Sequence, residues 1–276
     1  MTTTESNGIF TPDGTLGDDG DQLSILCWTD TDLNAMLEVT SAKNTTYVNV
    51  GSDGTEASKQ YITYFSSGED VDLYFCDADW TMAYVNNDKY SAPLSALGID
   101  KSDYSDAYSY TVAVGTSDAG VLKAASFQAA GGVYAYRIDL AKEYLGVTTP
   151  DEMQAYVSDW DTFWLTAATV HDASNGVTAM ADTIAGVWRA YNCARNTTWV
   201  TDGIFTYDDT LITTIDTIYD AYTSGYICNG IEQWTNDWYA IGYATGSLAN
   251  NTMGYFFPSW SLTSTGELVK RLNTAN

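Results

Sequence analysis

Histidine, proline and basic side chains are scarce in this 276-residue sequence, which has one histidine, four prolines and 11 Lys plus Arg. The single histidine, His171, excludes an H-E-x-x-H motif and any metal site built on two histidines. Four prolines leave little material for a stiff linker between domains. Because the chain also has 36 Asp plus Glu, its formal net charge is −25.

Sequence motifs for common enzyme chemistry are also absent. The chain contains no G-x-x-x-x-G-K-[ST], no G-x-G-x-x-G and no G-x-S-x-G, the patterns that cradle phosphates, bind dinucleotides or present a nucleophilic serine. His171 beside Asp172 could act as a general base, but a solvated residue in a loop is the favoured interpretation. We therefore expect a protein that is not an enzyme.

Membrane and export signals are missing as well. No window approaches about 18 uninterrupted apolar residues, the length that a spanning helix needs. Residues 1–8 lack the basic and apolar segments of a secretory signal. The acidic surface would repel nucleic-acid phosphates. The sequence predicts no membrane span, no signal peptide and no direct nucleic-acid binding.

The acidic residues are scattered through a chain that is 45% hydrophobic and 14% aromatic, which is enough apolar material for a core. Repulsion among so many like charges opposes folding in dilute buffer. Molar salt screens it, because the Debye length falls to about 3 Å. We therefore favour a protein from a halophilic source, with a secreted mesophilic protein or a calcium-loaded one as alternatives.

Hydrophobic periodicity predicts an α+β fold, with a β-rich mixed sheet and a few amphipathic packing helices, mainly in the second half. The strongest strand pattern covers residues 57–85, with a hairpin turn at residues 66–68. Further strands are predicted over 108–115, 132–140, 162–170 and the aromatic stretch 238–260, with a short helix over 121–130.

Three helices are predicted in the second half. Thr149 and Glu152 have capping-box spacing around Pro150. A second helix starts at Ser174 or Asn175 and ends near residue 195, and a third covers residues 208–225. A boundary just before the first of these helices divides the chain into a β-rich region, 1–146, and an α+β region, 147–276, although one continuous domain is the alternative.

The four cysteines form no C-x-x-C pair, which excludes a zinc knuckle or a thioredoxin-type motif. They could form two disulfides, but each lies in an apolar run, so buried thiols are favoured; the residues are Cys27, Cys76, Cys193 and Cys228. One sequence echo relates residues 8–16 to residues 203–211. It indicates either two equivalent docking edges or coincidence in a chain rich in Thr, Asp and Gly.

Closely spaced acidic residues give two candidate sites. Near the N-terminus, aspartates alternate with glycines in a pattern that could hold a structural Ca²⁺ or another cation, although EF-hand order is not met; they are Asp13, Asp18, Asp19 and Asp21. Apart from this possibility, no cofactor is expected. Farther along, Asp70 and Asp72 precede Asp77, Asp79 and Trp80. They could form an acidic and aromatic cleft, but a solvated strand face is favoured.

Aromatic residues in excess of core needs favour protein interfaces, where Tyr and Trp are enriched. The interface candidates are Phe10, Phe205, Trp234, Trp238, Tyr255, Phe256, Phe257 and Trp260. The expected partners are copies of the chain itself and other assembly proteins.

These patterns favour a structural subunit of a large homo-oligomeric assembly, specifically a virion protein of capsid, tail-tube or sheath type from a virus of a halophilic host. Its expected location is a virion or another extracellular assembly. One alternative is a secreted carbohydrate-binding or glycoside-cleaving protein, for which Trp80 and Asp77 would be mutated first. The other is an adhesin or surface-layer component.

Overall fold

The computed structural model describes residues 3–6, 9–12, 23–29, 31–39, 45–51, 54–68, 71–195, 197–207, 209–242 and 244–259, the first two stretches by their backbone alone. The chain forms two compact units, unit 1 from Met1–Ala129 and unit 2 from Ala130–Asn276. The predicted division between residues 146 and 147 stays a prediction.

The central feature of unit 1 is a parallel sheet of three strands in the order β4-β3-β5. Its strands are β3 (Leu23–Cys27), β4 (Thr45–Asn49) and β5 (Leu73–Tyr74). Helix α1 (Thr31–Val39) connects β3 to β4, and helix α2 (Gly54–Ser67) connects β4 to β5. Parallel neighbours require such crossovers, because a short turn cannot reverse the chain twice.

Strand β3 is buried on both faces. Leu26 packs with Ala57 and Tyr61 of α2, whereas Ile25 and Cys27 pack with Leu33 of α1. Successive side chains of a strand point to opposite faces. The apolar side chains of this strand therefore contribute to two cores, one on each face, as in parallel sheets that have helices packed on both faces.

The remaining elements of unit 1 are short. They are β1 (Thr3–Ser6) and β2 (Ile9–Pro12), which pair antiparallel, α3 (Thr81–Val85), α4 (Ser109–Val114) and two 3₁₀ turns, Leu94–Leu97 and Lys101–Tyr104. At the second turn, a capping box joins Asp100 and Asp103.

Unit 2 is built on a mixed sheet in the order β6-β10-β7, with β10 antiparallel to β6 and parallel to β7. The strands of this sheet are β6 (Gly132–Tyr136), β7 (Ala179–Ala181) and β10 (Thr252–Pro258). Two further strands of unit 2, β8 (Val200–Thr201) and β9 (Ile204–Phe205), form a separate antiparallel pair. The helices of unit 2 are α5 (Ile138–Leu145), α6 (Pro150–Gln154), α7 (Trp160–Ala173), α8 (Ile184–Cys193), α9 (Asp209–Thr223) and α10 (Asn236–Gly242), with a 3₁₀ turn at Gly246–Leu248.

The main core of unit 2 lies between this sheet and helices α5, α7, α8 and α9. Helix α7 contributes Phe163, Ala167 and Val170, which recur every three to four residues and so share one face. A second cluster contains Trp238 and Tyr255. The helices cover the sheet because a strand face with apolar side chains must be buried against another element.

The strand prediction for residues 57–85 holds only at β5 (Leu73–Tyr74), and residues 81–85 are helical in α3. Residues 54–67 form α2, and the predicted hairpin at 66–68 is the end of that helix. Ala57, Tyr61 and Phe65 recur every four residues and pack against the core of unit 1. Helical spacing therefore outweighs the β-propensity of the intervening Ile and Thr. Likewise, residues 109–114 are helical, and residues 121–130 form no helix.

In unit 2, the stretch predicted as a strand at 162–170 lies within α7, whose first turn is capped by Asp159. The helix predicted from Ser174 starts only at Ile184, with Thr183 as its N-cap. Ser174 instead ends α7, since Asn175 and Gly176 have φ angles of 55° and 80°, a conformation that stops a helix. The aromatic stretch after residue 236 begins with α10 and contains strand β10 only from Thr252.

Two helix predictions are confirmed. Thr149 and Glu152 form the expected capping box at the start of α6, and α9 lies within the range 208–225. The predicted combination of helices and mixed sheet is present, but in the described residues the sheets have only two or three strands each and helices occur in both halves. Within the described ranges, no helix is long and apolar enough to cross a membrane.

Candidate functional site

The strand order of unit 1 creates a preferred place for ligand binding. The chain leaves β3 for β4 on one side and later returns to β5 on the other side of β3. The segment that leaves β3 leads to α1 on one face of the sheet, and the segment that leaves β5 leads to α3 on the other face, so these two segments diverge at the carboxyl ends of β3 and β5. Open parallel sheets bind ligands at such a switch point. We call this region, formed by Trp28, Val50 and residues 75–80, the carboxyl edge.

Aromatic side chains cover the carboxyl edge. The rings of Trp28 and Trp80 meet edge to face, with centroids 5.7 Å apart, and Trp80 packs in the same way against Tyr61 at 5.6 Å. Tyr61 is held in place because its hydroxyl donates to the Leu26 carbonyl at 3.2 Å. Trp28 and Trp80 remain partly exposed and offer apolar contact area.

The indole nitrogen of Trp80 is buried and makes no hydrogen bond. Burying an unpaired N–H costs about 1–3 kcal/mol. An acceptor brought to the carboxyl edge would lower this cost if the ring turned towards it.

Exposed carboxylates lie beside the tryptophans. The chain after β5 forms a turn in which the Asp79 backbone N–H donates to Asp77 Oδ1 at 3.0 Å. Thr81 Oγ1 donates to the Asp77 carbonyl at 2.7 Å and ties the turn to the start of α3. Asp77 and Asp79 are both exposed. The turn therefore holds a hydrogen-bond acceptor with negative charge next to the aromatic surface.

Cys76 lies in the same segment but is unsuited to act as a nucleophile. Burial raises the pKa of its thiol to about 12, and a hydrogen bond with Thr81 only partly opposes this effect. Since the thiolate is the reactive form, this group stays unreactive near neutral pH. The arrangement is suited to holding a molecule by contact and charge.

A groove of about 330 Å³ lies next to Val50, the residue that follows β4. Its other lining residues, Gln60, Thr63, Tyr64 and Ser67, belong to α2. Amide and hydroxyl groups thus extend the polar surface of unit 1 along this helix. Val50 and Tyr64 also pack against the core that holds Trp28 and Trp80.

The structure separates the predicted interface residues into exposed and buried groups. Phe205 is 64% and Trp234 is 56% exposed, whereas Trp238 and Tyr255 are 1% and 4% exposed. The last two pack on each other in unit 2, with ring centroids 5.7 Å apart. Phe256 is half-buried and lies 5.0 Å from the ring of Tyr134. An interface role for any of these residues stays a prediction.

Several predicted site residues lie outside the described part of the chain. They are the side chains of Phe10 and Phe257, together with Trp260, Asp13, Asp18, Asp19 and Asp21. Among the residues that are described, no group of three or more His, Cys, Asp and Glu side chains could hold a metal ion. The calcium site at the four aspartates stays a prediction.

His171 lies within α7 and not in the loop expected from sequence. Its Nδ1 is 3.9 Å from Asp172 Oδ1, and its ring packs edge to face with Tyr226 at 5.6 Å. All four cysteines are free thiols; Cys27 and Cys228 are buried, Cys76 is half-buried and Cys193 is exposed. The expectation of burial therefore does not hold for Cys193.

Comparison with solved structures then adds a fold-level observation. No protein-family model and no curated protein matches the chain. Solved structures do match, and two of them each align over 92% of the chain. One is described as an extracellular solute-binding protein of family 1, with 18% identity and a TM-score of 0.72. The other is a probable secreted solute-binding lipoprotein from Streptomyces coelicolor, with 12% identity and a TM-score of 0.51.

The fold resembles that of solute-binding proteins. The chain spans 64% of the length of the first structure and 66% of the second. Both descriptions name binding proteins, and neither names an enzyme or a cofactor.

The structural-subunit prediction is wrong. Neither description names a virion, capsid, tail, adhesin or surface layer; both name solute binding. The expected partners, copies of the chain and other assembly proteins, are corrected for the same reason. The error arose because acidity and surplus aromatic residues were assigned to subunit contacts, although both properties serve ligand binding equally well.

The sequence analysis placed Trp80 and Asp77 in an alternative acidic and aromatic cleft, favoured a solvated strand face for them, and missed Trp28 and α2. The missed signal is the order of a buried strand, a helix, a strand and a second helix over residues 23–67. That order predicts a parallel sheet, and a parallel sheet binds ligands at the carboxyl ends of its strands, which is where the carboxyl edge lies.

Proposed function

We propose that the chain is an extracellular solute-binding protein whose unit 1 contacts a small polar solute at the carboxyl edge. The observation that carries the proposal is the switch point between β3 and β5, where Trp28, Trp80 and Asp77 meet solvent. The fold shared with an extracellular and a secreted solute-binding protein supports both the binding role and the location.

The chemistry of the carboxyl edge restricts the solute. The rings of Trp28 and Trp80 favour a ligand with an apolar face. The carboxylate of Asp77 accepts hydrogen bonds and repels anions, and the net charge of −25 strengthens that repulsion. The preferred ligand is therefore uncharged or cationic and carries hydroxyl or amine donors.

A defined panel tests this function. Amino acids, polyols and phosphate esters are each titrated into the protein while its thermal unfolding and tryptophan fluorescence are recorded. We expect one of the first two classes to raise the unfolding temperature, because a ligand at 100 times its Kd adds about 2.7 kcal/mol to the free energy of unfolding. Phosphate esters should have no effect.

Asp77→Asn locates the binding. Hydrogen bonds to charged groups contribute about 1.5–3 kcal/mol, so this change should weaken binding by at least about tenfold. Asp106→Asn is the matched control, since Asp106 is an exposed carboxylate of unit 1 outside the carboxyl edge. Absence of binding throughout the panel, or equal affinity of the Asp77→Asn and Asp106→Asn proteins, would contradict the proposal.

A further inference from the structure

We propose that a groove on α7 in unit 2 binds an organic ammonium ion. This site is distinct from the carboxyl edge of unit 1 and does not depend on the function proposed there. The groove has a volume of about 490 Å³ and is lined by Asp161, Trp164, Leu165, Ala168 and Tyr226.

The sequence of α7 explains why these residues form one wall. Positions 161, 164, 165 and 168 are separated by three or four residues, so their side chains share a helix face. The buried face of α7 is formed by Phe163, Ala167 and Val170. The groove therefore lies beside the buried face of α7, where Trp164 and Tyr226 pack against the core and Leu165 is exposed.

The aromatic wall is rigid. Trp164 donates its indole N–H to the Tyr191 hydroxyl at 3.1 Å and packs edge to face against Phe163 at 4.9 Å. Tyr226, the groove residue outside α7, packs against the ring of His171. Aromatic rings that are already held in place lose little side-chain entropy when a ligand binds to them.

One free charge faces this wall. Asp161 is exposed, and its carboxylate forms no salt bridge or hydrogen bond with the described residues. Its charge contributes to raising the pKa of the Tyr191 hydroxyl, after the larger effect of burial. Asp161 therefore lies near the hydroxyl that anchors Trp164.

The ligand class follows from these groups. Aromatic faces attract cations, and a tetraalkylammonium ion also presents an apolar surface that suits Leu165 and Ala168. The carboxylate of Asp161 adds attraction and excludes anions. An uncharged molecule of the same shape would gain the apolar contact alone. The groove should therefore bind a cation more tightly than an uncharged molecule of similar shape.

The probes are tetramethylammonium and neopentyl alcohol, a water-soluble uncharged analogue that has a quaternary carbon in place of the nitrogen and one additional hydroxyl group. Each is titrated into the full chain at constant ionic strength, with sodium chloride as the control for screening. The readout is the Trp164 indole N–H resonance, assigned by its loss in Trp164→Phe. We expect this resonance to shift with tetramethylammonium and to respond at least about fivefold more weakly to neopentyl alcohol.

Variants then distinguish binding at the groove from the general attraction of a cation to an acidic protein. Asp161→Asn should weaken tetramethylammonium binding about three- to tenfold. Asp172→Asn removes an exposed carboxylate from the same helix and should leave binding unchanged, as should Asp77→Asn in unit 1. Equal responses to both probes, a sodium effect equal to that of tetramethylammonium, or unchanged binding by Asp161→Asn would overturn the proposal.

Discussion

Asp182 should make the stability of unit 2 depend on pH. The residue is fully buried between β7 and α8. The indole N–H of Trp238 donates to its Oδ2 at 2.6 Å, whereas Oδ1 is buried without a hydrogen bond. Burial raises the carboxyl pKa to about 7, although hydrogen bonds from Trp238 and from the backbone of Thr183 oppose the rise.

The direction and size of the effect follow from the difference between the folded and unfolded pKa values. Between about pH 4 and about pH 7, the unfolded chain loses the proton that folded Asp182 keeps, so the free energy of unfolding decreases as pH rises. A difference of about three pKa units corresponds to about 4 kcal/mol. The contribution is complete below about pH 4 and has been lost above about pH 7.

Asp182→Asn removes this ionisation and should remove that part of the pH dependence. Urea unfolding is measured across the pH range at high salt, together with hydrogen exchange of peptides from β7 and α8, which reports on unit 2. Above about pH 7 the variant should be more stable than the unmodified protein by up to about 4 kcal/mol, and near pH 4 the two should be similar.

Asp216→Asn is the matched control, because Asp216 is an exposed residue of α9 and its replacement changes the net charge equally. It should retain the pH dependence of the unmodified protein. If the two variants show the same dependence, general repulsion among the acidic residues accounts for the effect and the reasoning about Asp182 fails.

Two further predictions concern the packing of unit 2. Thr183 accepts the Gly186 backbone N–H at 3.0 Å as the N-cap of α8, so Thr183→Ala should lower the free energy of unfolding by about 1–2 kcal/mol; Thr183→Ser should recover most of this loss in the same urea assay. At Gly254, a Cβ would lie 2.5 Å from the Tyr134 hydroxyl oxygen, which is fixed by its 2.7 Å bond to the Met180 carbonyl. Gly254→Ala should therefore cost about 1–3 kcal/mol, whereas Gly132→Ala in the same sheet, which has open space around it, should be close to neutral; equal losses would show that local crowding is not the cause.

The success of the secondary-structure predictions depended on how local each signal was. The capping box of Thr149 and Glu152 was predictable because its hydrogen bonds join residues three positions apart. Helix α2 was missed because Tyr61 and Phe65 favour strands by propensity, and only their packing against β3 selects the helix.

The candidate site was partly predictable for a related reason. Adjacent acidic and aromatic residues suggested a cleft at Asp77 and Trp80 as an alternative to the favoured solvated strand face. Trp28 could not be placed beside Trp80 from sequence, since 52 positions separate them and the strand order brings them together.

Composition determined the acidity of the chain and its capacity to form a core, because both are sums over the residues. The absence of common enzyme motifs could be read from the sequence directly, because each motif is a short pattern along it. Tertiary structure decided which aromatic residues became core and which remained exposed, and it placed Trp28 beside Trp80. It also decided the environment of Asp182, whose pKa is set by burial. Burial and strand order arise from contacts between distant segments, and these are not encoded in any single stretch of residues.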